Sequence, residues 1–288
     1  MQFIIHSWKG SAKFRFGAVV LAVLILIALA APLIYRPIIG NVSPARPGVF
    51  TRWLPASGQH PMGTDGHGRD ILTNFLSGLQ TTLLIGFLAG FVATTFGVVI
   101  GFIAGYKGGW IDTVLTTFTN VLLVIPAYPI LVGLTLVLTQ KSLFTVALIV
   151  ALFSWPFATR TIRAQVLSMK EQPYVELAKV TRQGDLAIIF TEIMPNLLPY
   201  LLMSFAFSTV GAMVAEVGIA VIGLGPSDAI SLGMLINFAS SWGAFTRGLY
   251  VLLLLPPAIL ILIFLALTMI NRGMEEYLNP RLQNVTGK

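Results

Sequence analysis

Thr81–Ala104, TTLLIGFLAGFVATTFGVVIGFIA, runs for 24 residues without a charged side chain. A bilayer hydrocarbon core of about 30 Å takes roughly 20 apolar helical residues to cross, so this stretch is long enough to span it. Backbone inside hydrocarbon must satisfy its own hydrogen bonds, and the period-2 alternation of a barrel strand is absent, so the stretch is predicted to be a helix. Comparable runs occur at Phe16–Ile34, Val114–Leu138, Leu143–Phe157, Leu198–Ile222 and Leu249–Ile270. The sequence therefore predicts an all-α membrane protein of six transmembrane helices, the fourth the shortest.

Composition agrees. Of 288 residues, 56% are hydrophobic and only 10% charged, with a mean hydropathy of +0.86, too little polar surface for a soluble domain. Six spans leave no room for a separate globular enzyme. With no cysteine and three histidines (His6, His60, His67), disulfides, thiolate catalysis and Cys-ligated zinc are excluded and no metal site is expected. No G-x-x-x-x-G-K-[ST] loop or H-E-x-x-H pair occurs, so the chain is read as non-catalytic, without cofactor, and driven by another subunit or an ion gradient. The net charge of +7 is not accompanied by a dense basic run, which argues against nucleic acid.

That charge is better explained by orientation. With the N-terminus inside, Lys9, Lys13, Arg15, Lys107, Arg160, Arg163, Lys170, Lys179, Arg182, Arg272, Arg281 and Lys288 face the cytoplasm. Arg36, Arg46, Arg52, Arg69, Lys141 and Arg247 face outward, and the bias of 12 to 6 places both termini in the cytoplasm. Lys9, Lys13 and Arg15 before an apolar stretch also suit a cleaved signal peptide, but the run continues to Ile34, beyond a normal signal core, so a retained span is expected. The division that follows is a cytoplasmic N-terminus at 1–13, a first transmembrane helix at 14–35 and an extracytoplasmic loop at 36–79. A five-helix core at 80–271 includes a cytoplasmic loop at 160–197, and a cytoplasmic tail occupies 272–288. An amphipathic helix is predicted at Arg69–Ser77, just before the second span.

Gly86, Gly90, Gly97, Gly101 and Gly105 lie within an arc of about 100° on a helix, so another helix is expected to press against them, more simply within one subunit than across a dimer seam. Pro126 and Pro129 are expected to break the third span and Pro156 to end the fourth. Glu216 is the sole acidic residue within the six apolar runs. It is read either as a pathway or gate contact or as a structural hydrogen-bonding group. Asp65 and Asp70, beside glycines at a helix start, are read as turn formers or caps.

The 160–197 loop alternates Val175, Ala178, Leu186, Ile189, Phe190 and Ile193 with Glu176, Lys179, Arg182, Asp185 and Glu192 at helical spacing, interrupted at Gly184. Two short amphipathic helices with a turn are predicted, their apolar face covered by lipid, by the bundle's underside or by a partner.

Tyr174-Val175-Glu176-Leu177-Ala178, Asp185 to Phe190 and Met194-Pro195-Asn196 resemble the EAA loop of ABC importer permeases. His60-Pro61-Met62-Gly63-Thr64-Asp65-Gly66-His67-Gly68-Arg69-Asp70 is similar to the H-x-x-G-T-D-x-x-G-R-D signature of the second permease of dipeptide, oligopeptide and nickel importers. Gly105-Tyr106-Lys107-Gly108-Gly109-Trp110-Ile111-Asp112, and Glu216 followed by Gly223-Leu224-Gly225, are similar to further marks of that family. The resemblance implies a type I permease fold and ATPase coupling through Tyr174, Glu176, Ala178, Arg182, Gly184, Asp185 and Pro195. It marks Gly63, Thr64, Asp65, Gly68, Arg69 and Asp70 as the outer-loop motif. It also implies a homologous second permease, two cytoplasmic ABC ATPase subunits and an extracytoplasmic solute-binding protein, in a prokaryotic cytoplasmic (inner) membrane.

Several positions depart from the family pattern. Arg182 occupies the usual glycine position, which is expected to move the turn to Gly184, and Leu177 replaces the second alanine. The segment after span five, GPSDAISLGMLINFASSWGAF, lacks the Pro-rich form of peptide permeases, Pro256-Pro257 stands for Pro-Gly, and Asn279-Pro280-Arg281 for Asp-Pro-Arg. The expectation is therefore an importer for oligopeptides or for oligosaccharides such as cello-oligosaccharides. A self-contained secondary transporter or channel is the alternative, but it would show coupling carboxylates and repeat symmetry and would leave the amphipathic inner loop without a task.

Overall fold

The computed structural model describes residues 7–278, the side chains of the last two excepted. His6, the Asn279-Pro280-Arg281 departure, Arg281 and Lys288 lie outside the described residues. Among the described residues five helices are long and apolar enough to cross a membrane, and a bent pair makes a sixth when its two halves are counted as one span. In chain order they are α1 (Ala12–Ile39), α2 (Ile71–Lys107), the pair α3 (Gly109–Val124) and α4 (Ala127–Val137), and α5 (Leu143–Lys170). Then come α6 (Pro173–Val180), α7 (Asp185–Ile188), a π-helical segment (Ile189–Ile193), α8 (Met194–Val221), α9 (Leu232–Ser241) and α10 (Tyr250–Leu278).

The bundle is built around α2, which packs against α1, α5, α8 and α9. Its 37 residues extend about 55 Å, more than the hydrocarbon thickness, so it carries the loop before Ile71 at one end and the turn at Gly108 at the other. The glycine stripe is divided between two neighbours. A Cβ on Gly86 would meet Met213 and one on Gly90 would meet Thr209, both of α8; Gly97, Gly101 and Gly105 face Ala158, Arg163 and Val166 of α5. Small residues let the backbones approach within one chain, as expected. α1 lies against α10 by the same means, Gly17 on the Ala266 carbonyl and Gly273 on Phe14, with Lys13 paired to Glu276 at 2.5 Å.

Several boundaries differ from the sequence reading. The fourth span is 28 residues long, because Pro156 sits inside α5 without ending it. The third is the interrupted one: Ile125 is extended ahead of Pro126, as a residue before proline prefers, and the chain bends by 79°. Pro129 falls in the first turn of α4, where no intrahelical N–H is required of it. No separate helix covers 69–77; Asp70 caps α2 by accepting from the Thr73 N–H at 2.8 Å, and the helix runs on into the span. The ten-residue α9, capped by Ser231, was not foreseen from its few polar residues.

Candidate functional site

The 160–197 loop folds against one end of the bundle. Val175 and Ala178 on α6 turn inward with Ile188 and Ile193 onto Phe102, Tyr106 and Val166, forming a cluster that belongs to this chain alone. Ala178 is only 5% exposed and therefore lies on the anchoring face rather than on one open to a partner. The outward face carries Leu177, Val180 and Leu186, 65%, 79% and 71% exposed. Glu176, Arg182, Gly184, Asp185 and Pro195 are exposed, while Tyr174 packs half-buried against the cluster.

The turn stays at Arg182. Its φ of 59° is left-handed, whereas Gly184 has an ordinary φ of −68° and serves as the N-cap of α7. The family's glycine position is thus kept as a conformation although not as a residue, at a cost of roughly 1 kcal/mol that the surrounding loop must offset. Thr181 closes the turn, its hydroxyl donating to the Ala178 carbonyl at 2.9 Å.

Two polar links fix this loop and the adjoining helices. The Tyr106 phenol, in the last turn of α2, donates to Asp185 Oδ1 at 3.1 Å. Arg163 of α5 grips Asp112 of α3 through Nε–Oδ1 at 2.5 Å and Nη2–Oδ2 at 2.6 Å. Gly108 and Gly109, φ 69° and 59°, make the reversal that sets Asp112 opposite Arg163. Tyr106, Arg163 and Asp112 were not singled out individually; only the GYKGGWID resemblance marked that neighbourhood. From Asp185 the chain continues through the π-helical segment directly into α8, so the second half of the loop is the end of a spanning helix.

At the other end, the motif at residues 60–70 is a folded cap. Asp65 is buried and accepts from the His67 and Arg69 amides at 2.8 and 3.0 Å, from Arg69 Nε at 2.9 Å and from Asn74 Nδ2 at 3.0 Å. Asp70 also meets His60 Nδ1 at 3.0 Å. Both carboxylates are occupied by groups of the loop and of the first turn of α2, as a turn-forming and capping role requires. Thr64 receives the Leu54 N–H and donates to the Thr51 carbonyl. Gly63 and Gly68 have φ of 78° and 71°, and a Cβ on either would strike a backbone carbonyl. Arg69 lies 4.7 Å from the Phe238 ring centroid, which ties the cap to α9. Burial, with Arg69 close by, pushes the His67 imidazole below its ordinary 6.5.

Glu216 is fully buried in α8, and neither carboxylate oxygen closes a hydrogen bond of good geometry among the described residues. The hydroxyl of Ser231, cap of α9, is the polar group beside it. Gly233, two residues on, touches Val217, so α9 is seated on this part of α8. Gly223 makes the turn that follows with φ 87°, and Gly225 rests on Met234. The departures after span five have structural partners: Ser227 donates its amide to the Lys141 carbonyl at 2.7 Å, and Asp228 accepts from the Leu143 amide at 3.0 Å. No cluster of His, Cys, Asp and Glu suited to a metal occurs among the described residues.

The same arrangement of helices occurs in known transporters. A chain from inward-facing crystals of the MetNI methionine ABC transporter superposes with a TM-score of 0.54, at 18% identity over 68% of this chain and 94% of that one. The oligopeptide transport system permease protein OppC of Mycobacterium tuberculosis H37Rv is 31% identical over 230 residues, 78% of this chain and 77% of its own length. The dipeptide transport system permease protein DppC of Bacillus subtilis 168 is 27% identical, over 96% of this chain and 85% of its own. Residues 97–284 match the family model of the binding-protein-dependent transport system inner membrane component. With that match over most of the spanning core, with its multiple spans and with relatives along nearly its whole length, the chain belongs to the inner-membrane permease components of binding-protein-dependent ABC transporters.

Proposed function

We propose that the chain forms half of the transmembrane pathway of an importer for short peptides. It works beside a homologous second permease, two cytoplasmic ATPase subunits and an extracytoplasmic solute-binding protein. The carrying observation is the inner loop, anchored to the bundle by one apolar face while Leu177, Val180 and Leu186 remain exposed on the other. Apolar side chains presented outside the bilayer on short helices suit a groove in a partner protein, which the ATPase would supply. The continuity of α7 with α8 gives the coupling a route. A shift of the loop would move the end of a spanning helix, and with it the α9 segment seated against Glu216, so that access alternates between the two sides.

Peptide is favoured over oligosaccharide because the OppC and DppC relatives are named for peptides and because the residues that weakened a peptide reading have structural tasks, Ser227 and Asp228 binding the chain between α4 and α5. Glu216 is assigned to holding α9 rather than to the pathway, since it is fully enclosed. Uptake of labelled di- to pentapeptides, compared with cello-oligosaccharides and nickel, in cells with and without this gene tests the substrate. Transport of the sugars alone, or of nickel alone, would refute the peptide assignment.

A further inference from the structure

Two recesses lie in line where α5 meets α2 and α3. The first, of about 370 Å³, is apolar and is lined by Val92, Phe96, Leu148, Ile149, Leu152 and Trp155. The second, of about 220 Å³, is polar and is lined by Thr116, Asn120, Thr159, Arg160 and Arg163 over Ala104. Trp155, stacked on Phe118 of α3 at 6.1 Å, marks the boundary between them.

The polar recess has unused binding capacity. Arg160 is exposed and makes no ion pair or hydrogen bond among the described residues, and Asn120 makes none either. Thr159 is 2% exposed, yet its hydroxyl has no partner among the described residues. Arg163 is engaged by Asp112, so the two arginines and the carboxylate leave one net positive charge, and Lys170 adds its field nearby. An anion is the complementary ligand.

The apolar recess identifies what kind of anion. Leu148 and Thr159 are eleven residues apart on α5, about 16 Å along the helix, which matches the hydrocarbon thickness of one leaflet. A soluble anion would occupy only the polar end. A lipid fills both, because basic recesses between spanning helices take phosphate headgroups while the adjacent groove takes an acyl chain.

We infer that this pair of recesses binds one anionic phospholipid of the leaflet on the coupling-loop side, its phosphate against Arg160, Thr159 and Asn120 and a chain along Phe96, Leu148 and Leu152. The site requires only that the chain span a bilayer; the leaflet's identity follows from the orientation, and lipid retention is read independently of transport.

The test uses the assembled transporter, purified in detergent, stripped of loose lipid and titrated with phosphatidylglycerol, phosphatidylcholine or inorganic phosphate, with bound molecules counted by native mass spectrometry. Phosphatidylglycerol should be retained in preference to phosphatidylcholine. Arg160→Ala should weaken its retention about fivefold, the scale of one basic residue at a membrane surface, and Arg160→Lys should restore most of it. Leu152→Trp, placed at the exposed edge of the apolar recess, should also reduce retention. Retention undiminished from that of the unaltered protein in both Arg160→Ala and Leu152→Trp would overturn the site. So would competition by inorganic phosphate at equal concentration, which would show a soluble-anion site, or burial of Arg160 against the second permease in the lipid-free complex.

Discussion

Tyr106 and Asp185 stand 79 positions apart in sequence and are joined by a hydrogen bond of 3.1 Å, phenol to carboxylate. One belongs to the last turn of the central spanning helix, the other to the first turn of the second loop helix. The bond therefore connects the bundle to the segment proposed to meet the ATPase. Removing the hydroxyl in Tyr106→Phe should cost about 1 kcal/mol at this joint. The ratio of binding-protein-stimulated to basal ATP hydrolysis should fall several-fold, and Asp185→Asn, which keeps an acceptor, should do less harm. An unchanged ratio in Tyr106→Phe would show that the joint transmits nothing.

The glycine stripe gives a packing test. A Cβ at Gly97 would lie 2.5 Å from Ala158 Cβ and 3.0 Å from backbone atoms, with no flexible side chain to yield. Gly97→Val should destabilise the bundle by about 1–3 kcal/mol, the usual range for overpacking. Gly211, with open space around it, is the contrast: Gly211→Ala should leave the melting temperature of the isolated chain nearly unchanged. Equal melting of the two variants would contradict the assigned α2–α5 contact.

How much of this was legible beforehand follows from the physics of each feature. The spans were readable because hydrocarbon imposes one length and one composition. The glycine stripe was readable as a contact, but its division between Met213 and Ala158 depends on tertiary placement that periodicity does not encode. Pro156 misled because a proline in a spanning helix is tolerated when neighbours enclose it, and it is buried here. The loop's apolar residues revealed an amphipathic segment without revealing which side the bundle itself would take, and Ala178 fell on that side. Arg182 hid its own role: glycine at that position signals a left-handed turn, and arginine carries no such signal while adopting the same φ.

The outer cap should be sensitive to acid. Above pH 6.5 His67 is neutral both folded and unfolded and costs nothing. Below 6.5 the unfolded chain takes up a proton that the folded cap, with its lowered affinity, resists until the pH falls through the depressed value. Folded-state stability therefore declines from pH 6.5 downward across that window. Hydrogen exchange of residues 48–70 at pH 5 and 7.5 would measure it, and His67→Gln should flatten the difference. The same pH dependence in His67→Gln would remove this residue from the effect.

Orientation is open to chemical labelling because the chain contains no cysteine. Ser57, Ser227 and Gln183 are all exposed, whereas Ser231 is fully buried and would not report. From the charge bias, cysteines at Ser57 and Ser227 should react with an impermeant thiol reagent in intact cells, and one at Gln183 should react only after lysis. Labelling of Gln183 from outside would invert the topology and remove the loop from reach of a cytoplasmic ATPase.

The two faces of the loop built from α6 and α7 separate docking from folding. Leu177→Glu and Leu186→Glu place a charge at side chains that are largely exposed in this chain, 65% and 71%, so the subunit should insert and fold normally. If these residues enter the ATPase groove, each charge is buried on assembly, and the lost apolar contact plus desolvation should cost about 2–4 kcal/mol of binding. The ATPase subunits should then fail to co-purify. Ala178→Glu acts differently: it forces an unpaired charge into the cluster of Val175, Ile188 and Ile193, so the permease should lose stability before assembly. Melting of the isolated permease and ATPase recovery from the complex distinguish the two. Full ATPase recovery and full stimulation in Leu177→Glu and Leu186→Glu would mean that the exposed apolar face lies on lipid, and the loop would be a membrane-surface element without a part in coupling.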